Sequence, residues 1–558
     1  MIKIFDLHER RAGLAVGLLV GLKLAILFLL AWNRRFVMDE FVQFGWAKYL
    51  GHGLFVTIWP AKAVGYAVFF NIAHLIGWDA RSMLLVGRVK TALLACGTLA
   101  MVYACARSMG ESRLRAGVIV LVLLSFSNFM ERVLETRAEP LATFFAVAAL
   151  LISVWGGEDS RGPRVFAAGA LAGFAFLSTQ KSIYFDAALG LALVGDAAIG
   201  RRYRRAAALG AWLVLGWLVP VAVYCIVFGR GEPLAMARNL VLGPVGVASP
   251  QTPAEYGGLR QYVVQTLVRN SLLYLLCFSG MILALLRIKR LEGGRRVALI
   301  FSLVITAVVF AHNQPWPYVF VMALPFTALW STWPFDALAS KRTYAAAVWT
   351  ALGIATAASF VRNVQALGID NHDQLAIIAR AEKLLSPGDA YFDGVGMLPN
   401  WPEPSTLWLD RHAILTTLRE GKDSEAYRIF ASSPPKIILW SYRMDAIEPV
   451  VGSLIRNSYV SIAPNIRIAG AHPTLGRSVR FDVPIAGTYA LYDLGGRPVR
   501  GQIDVDGASF QAPVELRKGP IKMILRRGTS ETLLLPAGSY SGRVTKGGDI
   551  SLFADVYD

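Results

Sequence analysis

Cysteine is scarce: Cys96, Cys105, Cys225 and Cys277 are the only four in 558 residues, and each falls inside a long apolar run. That excludes a disulfide framework for the polar remainder of the chain, which has none. Acidic residues are also few, 38 against 56 lysines and arginines, for a net charge of +18. In a soluble chain such an excess would point to nucleic acid. Here the basic residues gather in short clusters between apolar runs, as in loops retained on the cytoplasmic side of a membrane, so no nucleic-acid partner is expected. No small-residue cleavage site follows the first apolar run, which also exceeds a signal-peptide core, and that run is expected to remain as an anchor. Repeats and low-complexity tracts are missing too.

What the chain has in abundance is hydrophobic sequence, 55% of residues, with a mean hydropathy of +0.48. The first run, Ala12 to Trp32, is long enough at about 1.5 Å per residue to cross an apolar slab of ~30 Å. Lys3, Arg10 and Arg11 before it place the N-terminus in the cytoplasm. Further spans are expected at 83–107, 115–130, 140–155, 165–178, 182–199, 206–228, 262–286, 297–310, 319–335 and 344–360. The total is about eleven, with basic clusters on alternate loops. Phe41 to Leu50 and Trp59 to Trp78 read as interfacial helices, and 229–260 as a long Gly- and Pro-rich loop.

Three regions follow from this pattern: a transmembrane domain over 1–361, an outer α/β unit over 362–465, and an outer β-sandwich over 466–558 with alternating strands and Gly or Pro turns. Within the sandwich, Tyr489, Tyr492 and Phe510 are core candidates, with sugar stacking as the alternative.

Chemistry concentrates on one membrane face. Asp39 and Glu40 follow the first span, Arg137 and Glu139 precede the fourth, and Lys181 sits in the hairpin between the fifth and sixth. Arg88, near the outer end of the second span, is placed to join them. A pocket holding carboxylates beside several cations suits a lipid-borne phosphate and a proton acceptor. Each feature has a plainer account as well. Asp39 and Glu40 can pair with Arg34 and Arg35, Glu139 suits the dipole of a helix start, and Lys181 can snorkel. His312 can simply begin a helix, and Trp316 with Tyr318 can form an aromatic belt.

The order and sidedness of Asp39-Glu40, Arg137-Ala138-Glu139-Pro140-Leu141-Ala142-Thr143, Ser178-Thr179-Gln180-Lys181 and His312-Asn313-Gln314-Pro315-Trp316-Pro317-Tyr318 resemble the GT-C glycosyltransferases. The branch they look like holds protein O-mannosyltransferases and bacterial aminoarabinose transferases, over roughly the first 360 residues. The resemblance implies an enzyme of the inner membrane, its C-terminal region periplasmic. It would transfer a sugar, with inversion, from a polyprenyl-phosphate carrier to a hydroxyl of a lipid, glycan or protein acceptor. It implies Asp39 as general base with Glu40 orienting, Arg137, Lys181 and Arg88 as phosphate ligands, and Glu139, His312 and Tyr318 in support. A departing monophosphate does not demand a divalent cation; Asp39, Glu139 and His312 are the residues that would bind one. The rival expectation is a transporter of lipid-linked sugars, set back by charges lying at the outer ends rather than at the midplane.

Overall fold

A computed structural model describes residues 2–50, 55, 63–75, 79–155, 161–248, 257–312, 315–338, 342–528, 531–538, 540, 543–545 and 547–553. Every expected span lies on helix, but not every span is one helix. Five helices among the described residues are long and apolar enough to cross a membrane: Arg11–Asn33, Ala80–Ser108, Gln180–Ile199, Tyr203–Gly229 and Gly293–Phe310. A sixth crossing exists if Arg260–Arg269 and Ser271–Leu286, bent by 90° at Asn270, count as one span. Ala138–Val154 and Gly162–Ser178 are apolar but shorter. The third expected span breaks at Phe126 into Arg113–Ser125 and Ser127–Arg132, and the tenth into Phe320–Ala328 and Trp333–Leu338. Broken backbone at membrane depth is tolerated where other protein surrounds it, and Phe320–Ala328 is buried at every residue. The loop expected over 229–260 instead holds the helix Pro233–Ala248 and the start of Gly257–Arg269; residues 249–256 lie outside the described residues. The interfacial expectations appear as Met38–Ala47 and Gly65–Leu75, with Trp59 to Lys62 and 76–78 outside the described residues.

Close approaches of helices are set by small residues. A Cβ at Gly169 would collide with the Leu213 carbonyl and one at Gly216 with the Phe166 carbonyl, so Arg161–Ser178 and Tyr203–Gly229 pack backbone to backbone. Lys23, inside the first helix, donates to Ser359 Oγ and Asn363 Oδ1, both at 2.7 Å, and faces the Phe360 ring, joining the first helix to Arg342–Ala366. The basic loops do gather at one end. Arg296 pairs with Asp196 at 2.8 Å, Arg295 with Glu111 at 3.9 Å, and Gly294 abuts the Val154 carbonyl. Asp39, Arg137 and Lys181 lie at the other end, where the helix carrying Asp39 meets the C-terminal region.

That region begins with an α/β unit of four strands: β1 (Tyr391–Phe392), β2 (Ile437–Leu439), β3 (Tyr459–Ala463) and β4 (Ile466–Ala469), in the order β1-β2-β4-β3. β1 and β2 are parallel, and β4 is antiparallel to both of its neighbours. Because Ile468 pairs with Ile437 on one side and Val460 on the other, the boundary expected at 465 moves to about Gly470.

Two further sheets follow. The first contains β5 (Ser478–Val483), β7 (Gln502–Val505), β8 (Ala508–Gln511) and β10 (Gly519–Arg527); the second contains β6 (Gly487–Asp493), β9 (Val514–Leu516) and β11 (Thr532–Pro536). Alternate residues, among them Phe481, Leu491, Ile503, Met523 and Leu534, turn inward to one shared core. Tyr489 and Tyr492 are buried there or beneath it, while Phe510 is exposed. The last described residues leave this unit: Thr545 N–H donates to the Ile462 carbonyl at 3.1 Å, Asn465 N–H to Asp549 Oδ1 at 2.7 Å, and Phe553 packs on Phe41. The unit after Gly470 is therefore sewn back onto both the α/β unit and the helix that carries Asp39.

Candidate active site

The helix Met38–Ala47 begins where Val37 is extended. Glu40, in its first turn, reaches back to accept from the Val37 N–H at 3.0 Å, one half of a capping box. Its second oxygen accepts from Thr136 N–H at 3.0 Å and Thr136 Oγ1 at 3.1 Å. Arg88 grips both oxygens, donates to the Arg34 and Arg35 carbonyls at 3.2 and 3.3 Å, and lies on the Phe36 ring. Gly87 permits this, since a Cβ there would strike Phe44 and Thr136. Both partners are buried, with side-chain exposures of 0% for Glu40 and 2% for Arg88. Two assignments are corrected by this geometry. Glu40 faces Arg88 and the loop backbone rather than an acceptor, and Arg88 has its guanidinium committed to Glu40 and carbonyls instead of facing outward for a phosphate.

Asp39 points the other way. Its side chain is 39% exposed, and its Oδ2 accepts from Arg137 Nη1 at 2.5 Å. Arg137, extended at the start of Ala138–Val154, also reaches Glu139 Oε2 at 3.4 Å and Glu135 Oε2 at 3.9 Å, and stacks 3.5 Å over the Tyr318 ring. Burial opposes its charge, but Asp39, then Glu139, Tyr318 and Glu135, hold it well above the usual guanidinium range. Lys181, in the short turn Gln180–Ser182, donates to Tyr318 Oη at 3.0 Å and Glu139 Oε1 at 3.3 Å. Tyr318 thus carries two cations on one ring, and burial raises its phenol so that it stays protonated.

The structure brings Asp39, Arg137, Glu139, Lys181 and Tyr318 into one cluster. His312 packs on Tyr184, one turn beyond Lys181; Asn313 and Gln314 of its motif lie outside the described residues. No group of three or more His, Cys, Asp or Glu among the described residues is placed to hold a metal ion, so Asp39, Glu139 and His312 do not form such a set.

Sequence reading missed a second set of contacts, from the α/β unit onto the same helix. Trp408 stacks on Trp46 at 4.6 Å, and Glu403 pairs with Lys48 at 3.2 Å. Asp393, just after β1, is buried and accepts from the N–H groups of Val395, Gly396 and Met397 at 2.7 to 2.8 Å. The Asp-Gly-Val-Gly run was the available signal for that turn, with positive φ at Gly394 and Gly396. Burial, reinforced by Asp393 and opposed by Lys48, pushes Glu403 from 4.5 up to about 7. The folded state then holds a proton that the unfolded chain has released, so the protein loses stability as pH rises from 4.5 through about 7. Glu403→Gln should flatten that slope, worth about 1–3 kcal/mol, in melts taken across this range; an unchanged slope contradicts the assignment.

ArnT from Cupriavidus metallidurans bound to undecaprenyl phosphate aligns with a TM-score of 0.56 at 15% identity, covering 81% of this chain and 97% of that one. The apo form of the same protein gives 0.54 at 14% identity, with the same coverage. The fold over the aligned length is like that of ArnT. The oligosaccharyltransferase of Archaeoglobus fulgidus aligns with a TM-score of 0.47 at 11% identity over 95% of this chain and 100% of that one. Beyond the helical domain, residues 415–468 match a domain of unknown function (DUF7056) and 471–536 another (DUF7055). Their junction falls at Gly470, where the sheets divide. Comparison with curated protein sequences gave no match.

Proposed function

We propose that this chain is an integral-membrane glycosyltransferase of the bacterial inner membrane. It moves a sugar from a polyprenyl-phosphate carrier to an acceptor hydroxyl on the periplasmic side, with inversion. The observation that carries this reading is the exposed carboxylate of Asp39 beside Arg137, with Lys181 and Tyr318 completing a cationic wall. A similar fold that holds undecaprenyl phosphate supports it.

In this mechanism the acceptor hydroxyl gives its proton to Asp39 while its oxygen forms the new bond to the anomeric carbon. The bond from that carbon to the phosphate oxygen breaks, and its electron pair leaves with the polyprenyl phosphate. Arg137 and Lys181 meet the charge that develops there, so no protonating acid and no divalent cation is required. The basic loops lie in the cytoplasm and the C-terminal units in the periplasm.

Incubation of the purified protein with a panel of polyprenyl-phosphate sugars and acceptor lipids, glycans and peptides tests this reading. Donor consumption with product formation is expected, and donors left intact throughout the panel contradict it. Lys181→Ala should raise the donor KM about tenfold or more, the scale of one lost hydrogen bond to a charged group, and leave the acceptor KM alone. Initial rates with either substrate varied check this, and a rise confined to the acceptor contradicts a phosphate role.

A further inference from the structure

The two parallel strands of the α/β unit both end toward the helix that carries Asp39. β1 runs into the Asp393 turn, where a Cβ on Gly396 would lie 3.5 Å from the Phe41 carbonyl. β2 runs through Trp440 and Ser441 into the helix Tyr442–Ser458, capped by Ser441. The first two residues of that helix meet Met38, the neighbour of Asp39: Arg443 Nε lies 3.1 Å from its sulfur and Tyr442 Oη 3.6 Å. Open α/β sheets bind ligands outside the carboxyl ends of their strands.

The chemistry at this edge is specific. Tyr442 meets the helix that carries the candidate base through Met38 and is 53% exposed, with Phe553 edge-on to its ring at 5.9 Å. Arg443 leans over it at 5.0 Å and, among the described residues, has no carboxylate partner. Starting at Trp440, a cavity of about 270 Å³ runs along the same helix, lined by Asp445, Glu448, Arg456, Arg467 and Asp549 and by neither Tyr442 nor Arg443. Arg467 covers the Trp440 ring at 3.8 Å, so the cavity offers hydrogen-bonding groups rather than a free aromatic face.

We propose that Tyr442 and Arg443 form the acceptor subsite, and that the acceptor is a glycan bearing an acidic group, uronate or phosphate. The proposal rests on the transferase reading. The Tyr442 ring supports the C–H face of a sugar as it would any apolar surface. The Arg443 guanidinium, which has no carboxylate partner among the described residues, matches the two oxygens of a carboxylate or phosphate. The neighbouring polar cavity takes hydroxyls of the adjoining residue. Met38 precedes Asp39 in the chain, so a glycan anchored on the pair lies against the helix that carries the base.

The test uses the full chain in lipid nanodiscs with a polyprenyl-phosphate sugar and three acceptors: a uronate-containing, a phosphorylated and a neutral oligosaccharide. Arg443→Gln is expected to raise the acidic acceptor's KM about tenfold or more, leaving the neutral acceptor's and the donor's KM unchanged. Tyr442→Ala should raise the KM of all three acceptors about threefold to tenfold. The uronate and phosphate arms identify which acid is read. Wild-type acceptor KM values in both variants overturn the subsite while leaving the transferase reading standing. If the wild type consumes no donor, the transferase reading fails instead. Tryptophan fluorescence titration with the acidic oligosaccharides then decides the subsite: binding weakened by Arg443→Gln upholds it, and binding that is unaffected, or lacking in the wild type, overturns it.

Discussion

Asp39→Asn is expected to lower transfer by about a hundredfold or more, the contribution of a positioned general base, while the protein still folds, because Glu139 and Glu135 remain beside the buried Arg137. The Asp39 side chain is 39% exposed, so the substitution buries nothing new. Asparagine keeps an oxygen that accepts from Arg137 Nη1, which preserves that contact to the start of Ala138–Val154. What it loses is the capacity to take a proton from the acceptor. The donor KM should stay near its wild-type value because Arg137 and Lys181 are untouched. Initial rates with each substrate varied, beside a thermal melt, separate these outcomes; turnover within a few-fold of wild type removes Asp39 from the mechanism.

Glu40, its neighbour in sequence, has the opposite profile. Glu40→Ala should cost about 3–5 kcal/mol of stability, the penalty for leaving one member of a buried ion pair uncompensated. Arg88 would face apolar surroundings without its carboxylate, and the N–H groups of Val37 and Thr136 would lose their acceptor. Activity falls with the fold, and Glu40→Ala/Arg88→Met should recover part of the loss because no charge then stays buried. Thermal melts in detergent decide it: a Glu40→Ala protein as stable as wild type contradicts the structural role, and one that folds normally yet loses transfer restores Glu40 to the chemistry.

The contrast between these two acids marks what the sequence could convey. Asp39, Arg137, Glu139 and Lys181 were legible because each interrupts a long apolar pattern at the same side of the membrane. Which carboxylate meets which cation was not. Asp39 and Glu40 point to opposite sides of one helical turn, and the choice of Arg88 for Glu40 depends on Gly87 letting Phe44 and Thr136 close around the pair. The apolar runs located the expected spans but not the helix Pro233–Ala248, and the breaks at Phe126 and Asn270 lie within runs that stay apolar or mixed across them. There the surrounding bundle, rather than the local residues, decides where the backbone turns. The α/β unit was legible as a composition, but β4 reads as well with the sandwich until its pairing to β2 is seen. Trp408, Glu403, Tyr442 and Arg443 were beyond sequence reasoning, since they meet the Asp39 helix across more than three hundred residues of chain.

The most direct measurement is the comparison of undecaprenyl-phosphate binding with sugar transfer in purified wild-type and Asp39→Asn protein. A base working beside an independent phosphate grip predicts lipid-phosphate affinity within about threefold of wild type and transfer reduced by about a hundredfold or more. Transfer that persists in the variant, or affinity that falls in step with transfer, would contradict it.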